Sequence, residues 1–233
     1  MTAVTKAMLL AAGYGKRMRP LTDSTPKPLL RVADKPLLQF HLERLRAADV
    51  SEVVVNLAHL GEQIESWLGD GARFGLSVRY SWEPYPLETG GALSRALEEL
   101  GRGPFLLVNG DVWTDFPFAP LLRRGLAAGS LGRLVLVPNP EHKDSGDFDL
   151  DGDRVINCNA AGAGYTFSGV SLIDPQLIAG FSHRREVFPL REALQEALVA
   201  GRLEGELYGG QWWDVGTPER LQNLDQFLRG REA

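Results

Sequence analysis

The stretch LLAAGYGKRMRPLTDSTPKPLL, residues 9–30, begins as an apolar strand and continues into a loop rich in glycines and cations. Gly13 and Gly15 let the backbone approach a ligand closely, and exposed N–H groups in such a loop can surround phosphate oxygens. Arg17 adds a planar set of donors suited to phosphate, and Lys27 adds a mobile positive charge. The stretch therefore predicts a phosphate-binding loop, although it matches neither a P-loop nor the full dinucleotide-binding glycine pattern.

Strand-like and helix-like segments alternate from this stretch to about residue 138. Apolar and β-branched runs predict strands at 7–13, 52–58, 76–82, 104–111 and 132–139. Apolar residues at helical spacing predict helices at 35–50, 61–70, 89–100 and 119–129. This order is typical of a parallel sheet covered by helices.

The second half of the chain does not continue the regular alternation of strands and helices. Strands are predicted around an Asp-Gly turn in 147–159, at 165–173, and running into a loop at 206–216. Helices are predicted at 185–201 and 217–228. Thr217 is suited to cap the last helix and Pro218 to its first turn. We predict one α/β domain, residues 1–233, with a Rossmann-like three-layer α/β/α fold around a mostly parallel central mixed sheet.

Composition narrows the possible partners. Lys plus Arg is 25 and Asp plus Glu is 30, so the net charge of −5 does not favour a nucleic-acid-binding protein. The single cysteine, Cys158, excludes an internal disulfide and suits a reducing cytoplasm. No apolar run approaches the ~18 residues of a membrane span. We expect a cytoplasmic protein, a monomer or weak dimer, that binds neither nucleic acid nor membranes.

Two more stretches fall at strand ends, where open α/β sheets usually bind ligands. Asp111 ends the apolar run FLLVNGD, and Mg²⁺ prefers one or two carboxylates together with phosphate oxygens. An Asp at this place can also simply cap a turn. In TGGAL, residues 89–93, the helix-start N–H groups of Thr89 and Gly90 could face a ligand.

The opening stretch resembles the signature of the sugar nucleotidyltransferases, L-A-A-G-x-G-x-R-[ML]-x-P-L-T-x-x-x-P-K-P, and has every fixed element from Leu10 to Pro28. Asn-Gly-Asp at 109–111 and WWDVGTPERL at 212–221 are similar to two further landmarks of that family. The resemblance runs in order from residue 7 to about 228. It implies a nucleotidyltransferase fold.

The resemblance also implies roles for individual residues. Arg17, Lys27 and Asp111 would be catalytic, with Arg17 on the departing pyrophosphate and Lys27 at the α-phosphate. Asp111 and Asp214 would hold Mg²⁺. The nucleotide is expected to contact Leu10, Ala11, Ala12, Gly13, Gly15, Arg17, Lys27, Glu83, Leu87, Thr89 and Gly90. Glu83 stands where thymidylyl-transferring relatives carry Gln and could accept the N3–H of uracil or thymine, although a solvated Glu is an equal alternative.

The resemblance divides the chain into a nucleotide-binding half, residues 1–138, and a sugar-binding half, residues 139–233. The second half lacks the Glu-Lys-Pro of the commoner hexose-1-phosphate enzymes, and with it the lysine that grips the sugar phosphate. Arg184, Arg185 or Lys143 could replace it, and spacing does not choose between them. The expected sugar-phosphate set is Asn109, Asp147, Ser168, Gly169 and Arg185.

The segments GDFDL, TFSGVSL and WWDVGT look most like the branch of the family that acts on N-acetylmuramic acid 1-phosphate. This likeness implies uridylyl transfer from UTP to that sugar, giving UDP-N-acetylmuramic acid and pyrophosphate. Transfer of thymidylyl or guanylyl to a hexose 1-phosphate is the alternative. A non-catalytic nucleotide-binding regulator is a remote one, since it would be expected to lose Arg17, Lys27 or an aspartate. A Rossmann oxidoreductase would need a third glycine that is absent.

Overall fold

The computed structural model describes residues 4–158 and 164–232. Thirteen strands are formed by these residues: β1 (Lys6–Leu10), β2 (Arg31–Val32), β3 (Lys35–Pro36), β4 (Glu52–Leu57), β5 (Ser77–Trp82), β6 (Phe105–Asn109), β7 (Val112–Thr114), β8 (Gly132–Val137), β9 (Asp149–Asp151), β10 (Arg154–Ile156), β11 (Thr166–Ile173), β12 (Leu203–Leu207) and β13 (Trp212–Asp214). The helices among them are α1 (Leu37–Ala47), α2 (Gly61–Leu68), α3 (Glu88–Arg95), α4 (Leu97–Leu100), α5 (Phe118–Arg124), α6 (Gln176–Ala179), α7 (Leu190–Val199) and α8 (Pro218–Glu232). Asn159, at the end of the predicted segment 147–159, lies outside the described residues.

A nine-stranded sheet, in the order β5-β4-β1-β6-β11-β8-β12-β10-β9, forms the centre of the molecule. The first four strands of this order are parallel, and β11 then runs antiparallel to both β6 and β8. The prediction of a mostly parallel mixed sheet is confirmed. The strand β8 does not lie beside β6, as an uninterrupted parallel series would require, because β11 from the second half of the chain is inserted between them.

Helices cover both faces of the sheet because the buried side chains of its strands alternate. Along β1, Met8 packs into one apolar cluster with side chains of α3, α6 and α7, whereas Ala7 and Leu9 pack into the other with side chains of α1, α2 and α5. A strand that is buried on both faces reads as a continuous apolar run, which is why AMLL looks uniform in sequence. The two clusters give the predicted three layers.

A third apolar cluster forms beside the sheet and supports the loops at its edge. Here α8 packs against the two-stranded ribbon of β7 and β13, and Met18 joins the same cluster. The sequence predicts a strand that runs into a loop within 206–216, but Trp212–Asp214 at the end of this segment is a strand paired with Val112–Thr114. This pairing joins segments about a hundred residues apart, so local pattern could not reveal it.

Several predicted helices are shorter than expected, for local reasons. The helix predicted at 119–129 ends at Arg124, since Gly125 has φ +65°, and the one at 185–201 begins only at Leu190, after Pro189. A residue that precedes proline is driven out of the helical region. The predicted cap of α8 is confirmed, because Thr217 Oγ1 accepts the N–H of Arg220 at 3.3 Å.

Candidate active site

A cavity of about 360 Å³, called here the first cavity, opens at the carboxyl ends of β1, β4 and β6. Its lining residues are Leu10, Ala11, Ala12, Gly13, Gly15, Lys16, Arg17, Met18, Lys27, Pro28, Asn56, Glu83, Pro86, Glu88, Thr89, Asn109, Gly110, Asp111 and Gly216. The structure thus brings together most of the residues that the sequence assigned to a nucleotide. Leu87 and Gly90 are the two of that set that do not line it.

The glycine-rich loop has one tight and one open glycine. Gly15 adopts the left-handed conformation with φ +61°, and a Cβ built there would lie 2.8 Å from Thr22, whose hydroxyl donates to the Gly15 carbonyl at 2.9 Å. A Cβ built on Gly13 meets no atom within 4 Å. Gly15 therefore shapes the loop, while Gly13 leaves space at the cavity wall.

Asn56 holds the start of the glycine-rich loop by a hydrogen bond, and the sequence did not predict this role. Its Oδ1 accepts the N–H of Ala11 at 2.7 Å, and its Nδ2 donates to Glu83 Oε1 at 2.8 Å. A signal was present, because the similar runs EVVVN and FLLVN place asparagine next to last in β4 and last in β6. In the sheet Asn56 and Asn109 flank Leu10 from opposite sides in register.

Glu83 is a carboxylate held inside the wall of the first cavity. It is 5% exposed, and its Oε2 accepts the N–H of Leu87 at 2.9 Å in addition to the bond from Asn56. Burial raises the pKa of Glu83, and these two hydrogen bonds oppose that rise. Glu83 thereby ties the glycine-rich loop, through Asn56, to the turn before α3.

Gly90 and Gly91 have a packing role that differs from the sequence interpretation. Both N–H groups donate to the carbonyl of Phe188, at 2.9 and 3.0 Å, so the N–H of Gly90 that the sequence offered to a ligand is used inside the protein. A Cβ on Gly90 would collide with the Phe188 ring. Thr89 lines the cavity, and its Oγ1 accepts the N–H of Leu190 at 2.8 Å.

Lys27 and Asp111 form an ion pair on the cavity wall. Lys27 is 8% exposed, and its Nζ lies 2.9 Å from Asp111 Oδ2. Lys27 comes from the end of the opening stretch and Asp111 from the end of β6, so the strand order brings them together. A buried ammonium beside a carboxylate can place positive charge against a phosphate that enters the cavity.

Asp111 and Asp214 are brought together by the β7–β13 ribbon. Asp214 is in register with Val112, and the N–H of Val215 donates to the Asp111 carbonyl at 3.0 Å. Arg17 lies close by, because a Cβ built on Gly216 would be 3.1 Å from both Arg17 Nη2 and Asp214 Oδ1. The glycine therefore leaves room beside both the Arg17 guanidinium and the Asp214 carboxylate.

The two carboxylates fit a divalent metal that takes its other ligands from phosphate and water. Among the described residues, no group of three or more His, Cys, Asp or Glu side chains is placed to hold a metal ion by itself. Asp111 is paired with Lys27, while Asp214 is paired with Arg220 and lies 3.5 Å from His142 Nε2. Two carboxylates alone leave most coordination positions of such a metal to the phosphate oxygens of a substrate and to water.

A second cavity, of about 230 Å³, adjoins the first and shares Asn109 and Asp111 with it. Its other lining residues are Val112, Pro140, His142, Lys143, Asp147, Thr166, Phe167, Ser168, Gly169, Trp212 and Asp214. Four of the five residues predicted to bind the sugar phosphate lie here. Because this cavity takes residues from both predicted halves, neither half forms it alone.

A bulge in β11 shapes the second cavity. The pairing of β11 with β8 shifts between Phe167 and Ser171, and Gly169 within the bulge has φ +79°. A Cβ built on Gly169 would lie 2.8 Å from Asn109 Nδ2, so the glycine is required by close contact as well as by its backbone. Bulges of this kind re-aim side chains and are common beside active sites.

Arg185 is the predicted sugar-phosphate residue that the structure does not place with the others. Its guanidinium makes two hydrogen bonds of 2.7 Å to Glu192, and it lines neither of the two cavities. Lys143, one of the three cations between which spacing did not choose, does line the second cavity.

Comparisons with known proteins agree with this architecture. Residues 6–157 match the model of the nucleotidyl transferase family, and the chain therefore belongs to that family. It is 46% identical over 97% of its length, and 98% of the relative's, to the N-acetylmuramate alpha-1-phosphate uridylyltransferase of Neisseria meningitidis serogroup B. These findings define the chain as a sugar-1-phosphate nucleotidyltransferase.

Two further comparisons are more distant. The chain is 33% identical over 92% of its length to the beta catalytic subunit of mannose-1-phosphate guanylyltransferase of Drosophila melanogaster, and it spans 60% of that protein. In structure it is similar, with a TM-score of 0.85 and 21% identity, to a Bacillus anthracis protein assigned as a glucose-1-phosphate thymidylyltransferase, covering 96% of this chain and 95% of that one. The structural likeness shows the shared fold.

Within the described residues, none of the helices combines the length and apolar character needed to cross a membrane.

Proposed function

We propose that this chain transfers the uridylyl group of UTP to N-acetylmuramic acid 1-phosphate and releases pyrophosphate. The observation that carries the proposal is the 46% identity, over nearly the whole of both chains, to the meningococcal protein named for that activity. The mannose-1-phosphate guanylyltransferases match at 31–33% and are longer than this chain. We therefore assign uracil as the base and N-acetylmuramic acid as the sugar, in keeping with the name of the more similar relative.

The first cavity suits the triphosphate and the second suits the sugar phosphate. A phosphate oxygen of the sugar attacks the α-phosphorus of UTP in line, and pyrophosphate leaves on the opposite side. Lys27 stabilises the charge that gathers on the α-phosphoryl group, and Arg17 offsets the charge of the departing pyrophosphate. Such transfers gain mainly from positioning and charge neutralisation, so no nucleophilic side chain is needed.

Asp111 and Asp214 are the residues that would hold Mg²⁺. When bound there, Mg²⁺ supplies neutralisation of phosphate charge and polarisation of the α-phosphoryl group. Arg17 Nη2 lies near Gly216, which follows the ribbon, because a Cβ built there would be 3.1 Å from it. Arg17, Lys27, Asp111 and Asp214 thus act from one edge of the sheet.

Glu83 is proposed to read the base. Each of its oxygens already accepts one hydrogen bond, and a carboxylate oxygen has a second lone pair. An ionised Glu83 can therefore accept the N3–H of uracil. Adenine and cytosine offer a lone pair at the equivalent ring nitrogen, and they would face the carboxylate with repulsion.

A pyrophosphate-release assay over a grid of nucleoside triphosphates and sugar 1-phosphates tests the proposal. We expect the highest kcat/KM with UTP and N-acetylmuramic acid 1-phosphate. A higher value with GTP and mannose 1-phosphate would overturn the substrate assignment. Nucleotide binding without release for any pair would favour the non-catalytic regulator. The Asp111→Asn variant, prepared in parallel, reports any contaminating activity.

A further inference from the structure

The second cavity presents a charge problem for an anionic substrate. Asp111, Asp147 and Asp214 all line it, and each is a carboxylate. A sugar 1-phosphate adds a charge of about −2 near neutral pH. N-acetylmuramic acid adds a further carboxylate on its lactyl group. A cation on the wall of this cavity is therefore needed beyond any metal that Asp111 and Asp214 hold.

Lys143 is the one formally positive side chain among the described residues that line this cavity. His142 also lines it, but its Nε2 lies 3.0 Å from Nη1 of Arg220. The same nitrogen lies 3.5 Å from Asp214 Oδ2, so it already contacts two groups of the protein. Arg220 is itself paired with Asp214. Lys143 is the cation that remains for a substrate.

The position of Lys143 is fixed by a short set of contacts. Its Nζ donates to Asp147 Oδ2 at 2.5 Å, and the same oxygen accepts the N–H of Phe167 at 2.9 Å. Phe167 begins the bulge of β11, so the ion pair is anchored beside Ser168 and Gly169. An ammonium has three donors, and Asp147 uses one of them. The other two can bind an anion at the wall.

We propose that Lys143 binds an anionic oxygen group of the sugar substrate, either the 1-phosphate or the lactyl carboxylate. It thereby takes the place of the sugar-phosphate lysine that the family pattern lacks in this chain. The inference rests on the proposed function, because it assigns a residue to the sugar of that reaction. The competing explanation is a plain ion pair between residues 143 and 147, which contributes little to stability when partly exposed.

The test compares Lys143→Gln with the wild type. KM and kcat are measured with UTP, and equilibrium binding is measured by calorimetry, for N-acetylmuramic acid 1-phosphate and N-acetylglucosamine 1-phosphate. We expect KM and Kd for the sugar to rise about tenfold or more, as for a lost charge-assisted hydrogen bond, with KM for UTP unchanged. Contact with the phosphate raises the values for both sugars, whereas contact with the lactyl carboxylate raises them only for the first. Lys143→Arg should recover part of the loss.

Lys35→Gln is the matched control. Lys35 also forms an exposed ion pair with a carboxylate, Glu43, at 3.2 Å, and it lines neither the first nor the second cavity. Its loss should leave KM for both substrates unchanged. If Lys143→Gln alters only the thermal midpoint, as a structural ion pair would, the proposal is wrong.

Other outcomes also decide the matter. An equal rise in KM for UTP, or a rise caused by Arg185→Gln and not by Lys143→Gln, contradicts the assignment. The same conclusion follows if the wild type binds neither sugar phosphate. If the wild type instead prefers a different sugar 1-phosphate, the proposed function fails, and the Lys143 comparison is decided with that sugar.

Discussion

The first and second cavities lie side by side and share Asn109 and Asp111, yet they are built differently. The first gathers the glycine-rich loop and residues that follow neighbouring parallel strands, and there Gly13 has open space beside it. The second gathers residues from segments far apart in sequence, and there a Cβ on Gly169 would lie 2.8 Å from Asn109 Nδ2. Glycine thus leaves room for a ligand in one cavity and removes a clash in the other.

The difference teaches where specificity resides. In the proposed function, the first cavity holds phosphates, which every nucleotide carries, and Glu83 is the residue proposed to distinguish the base. The second cavity, which Lys143 and Asp147 line, is where we propose that the sugar is distinguished. Variants that act on one cavity and not the other are therefore the sharpest tests of the arrangement.

Asp111→Asn should have the largest effect, because Asp111 lines both cavities. We expect kcat to fall about a thousandfold, the upper range for loss of one charge-stabilising group. The fold should persist, since the side chain is 43% exposed. Pyrophosphate release measures kcat, and thermal unfolding followed by circular dichroism shows whether the fold persists. Asp153→Asn is the control, because Asp153 forms an exposed ion pair with Arg124. Near-normal turnover of Asp111→Asn would contradict the proposed metal site of two aspartates.

Lys27→Ala should follow, with an effect assigned to the first cavity. We expect kcat to fall at least about a hundredfold, because Lys27 acts on charge that develops during transfer. A change confined to KM for UTP would mean that Lys27 only binds the ground state. Steady-state kinetics with each substrate varied in turn separate these results, and Lys35→Ala serves as the lysine control.

Gly13→Ala and Gly169→Ala form a matched pair that separates the cavities. Gly169→Ala combines a strained φ with a contact on Asn109, and we expect a loss of about 1–3 kcal/mol in unfolding free energy together with a higher KM for the sugar. Gly13→Ala should leave stability unchanged and raise KM for UTP. Denaturant unfolding and kinetics measure both. Equal loss of stability in the two variants would contradict the claim that Gly169 is required by close contact and Gly13 is not.

His41 should affect stability and not turnover, through its contact with Val112, which follows Asp111 and is in register with Asp214. Burial lowers the pKa of His41 from 6.5 to about 4, and its Nε2 lies 2.8 Å from the Val112 carbonyl. Since the unfolded chain binds the proton more tightly, stability from this group falls as pH drops from 6.5 towards 4. The loss is at most a few kcal/mol, from ~1.36 kcal/mol per unit of pKa difference.

His41→Gln tests this linkage because glutamine keeps a donor and does not titrate. Urea unfolding between about pH 4 and about pH 7 should show a shallower dependence in the variant than in the wild type. The same slope in both proteins would show that His41 does not contribute to it.

Much of the first cavity could be predicted because its parts are contiguous in sequence. Gly13, Gly15, Arg17 and Lys27 lie within one stretch, and short-range spacing carries their meaning. Asn56 was missed because a polar residue at a strand end has many ordinary uses. The placing of Gly90 failed for a related reason, since a glycine required for packing against Phe188 looks the same in sequence as one that faces a ligand.

The second cavity was harder to predict because its parts are far apart. The pairing of Trp212–Asp214 with Val112–Thr114, the bulge at Gly169 and the pair of Lys143 with Asp147 all depend on tertiary contacts. Arg185 had suitable chemistry, but Glu192 holds it elsewhere. Charge and spacing alone could not choose between Arg185 and Lys143.

The amino-acid sequence by itself determined the alternation of strands and helices, the glycine-rich loop and the family. These follow from periodicity, from the backbone freedom of glycine and from short motifs, all of which act over a few residues. Only the tertiary structure decided which strand lies between β6 and β8, that Trp212–Asp214 pairs with Val112–Thr114, and which cation lines the second cavity. Those outcomes depend on burying both faces of one sheet at once, and that condition involves the whole chain.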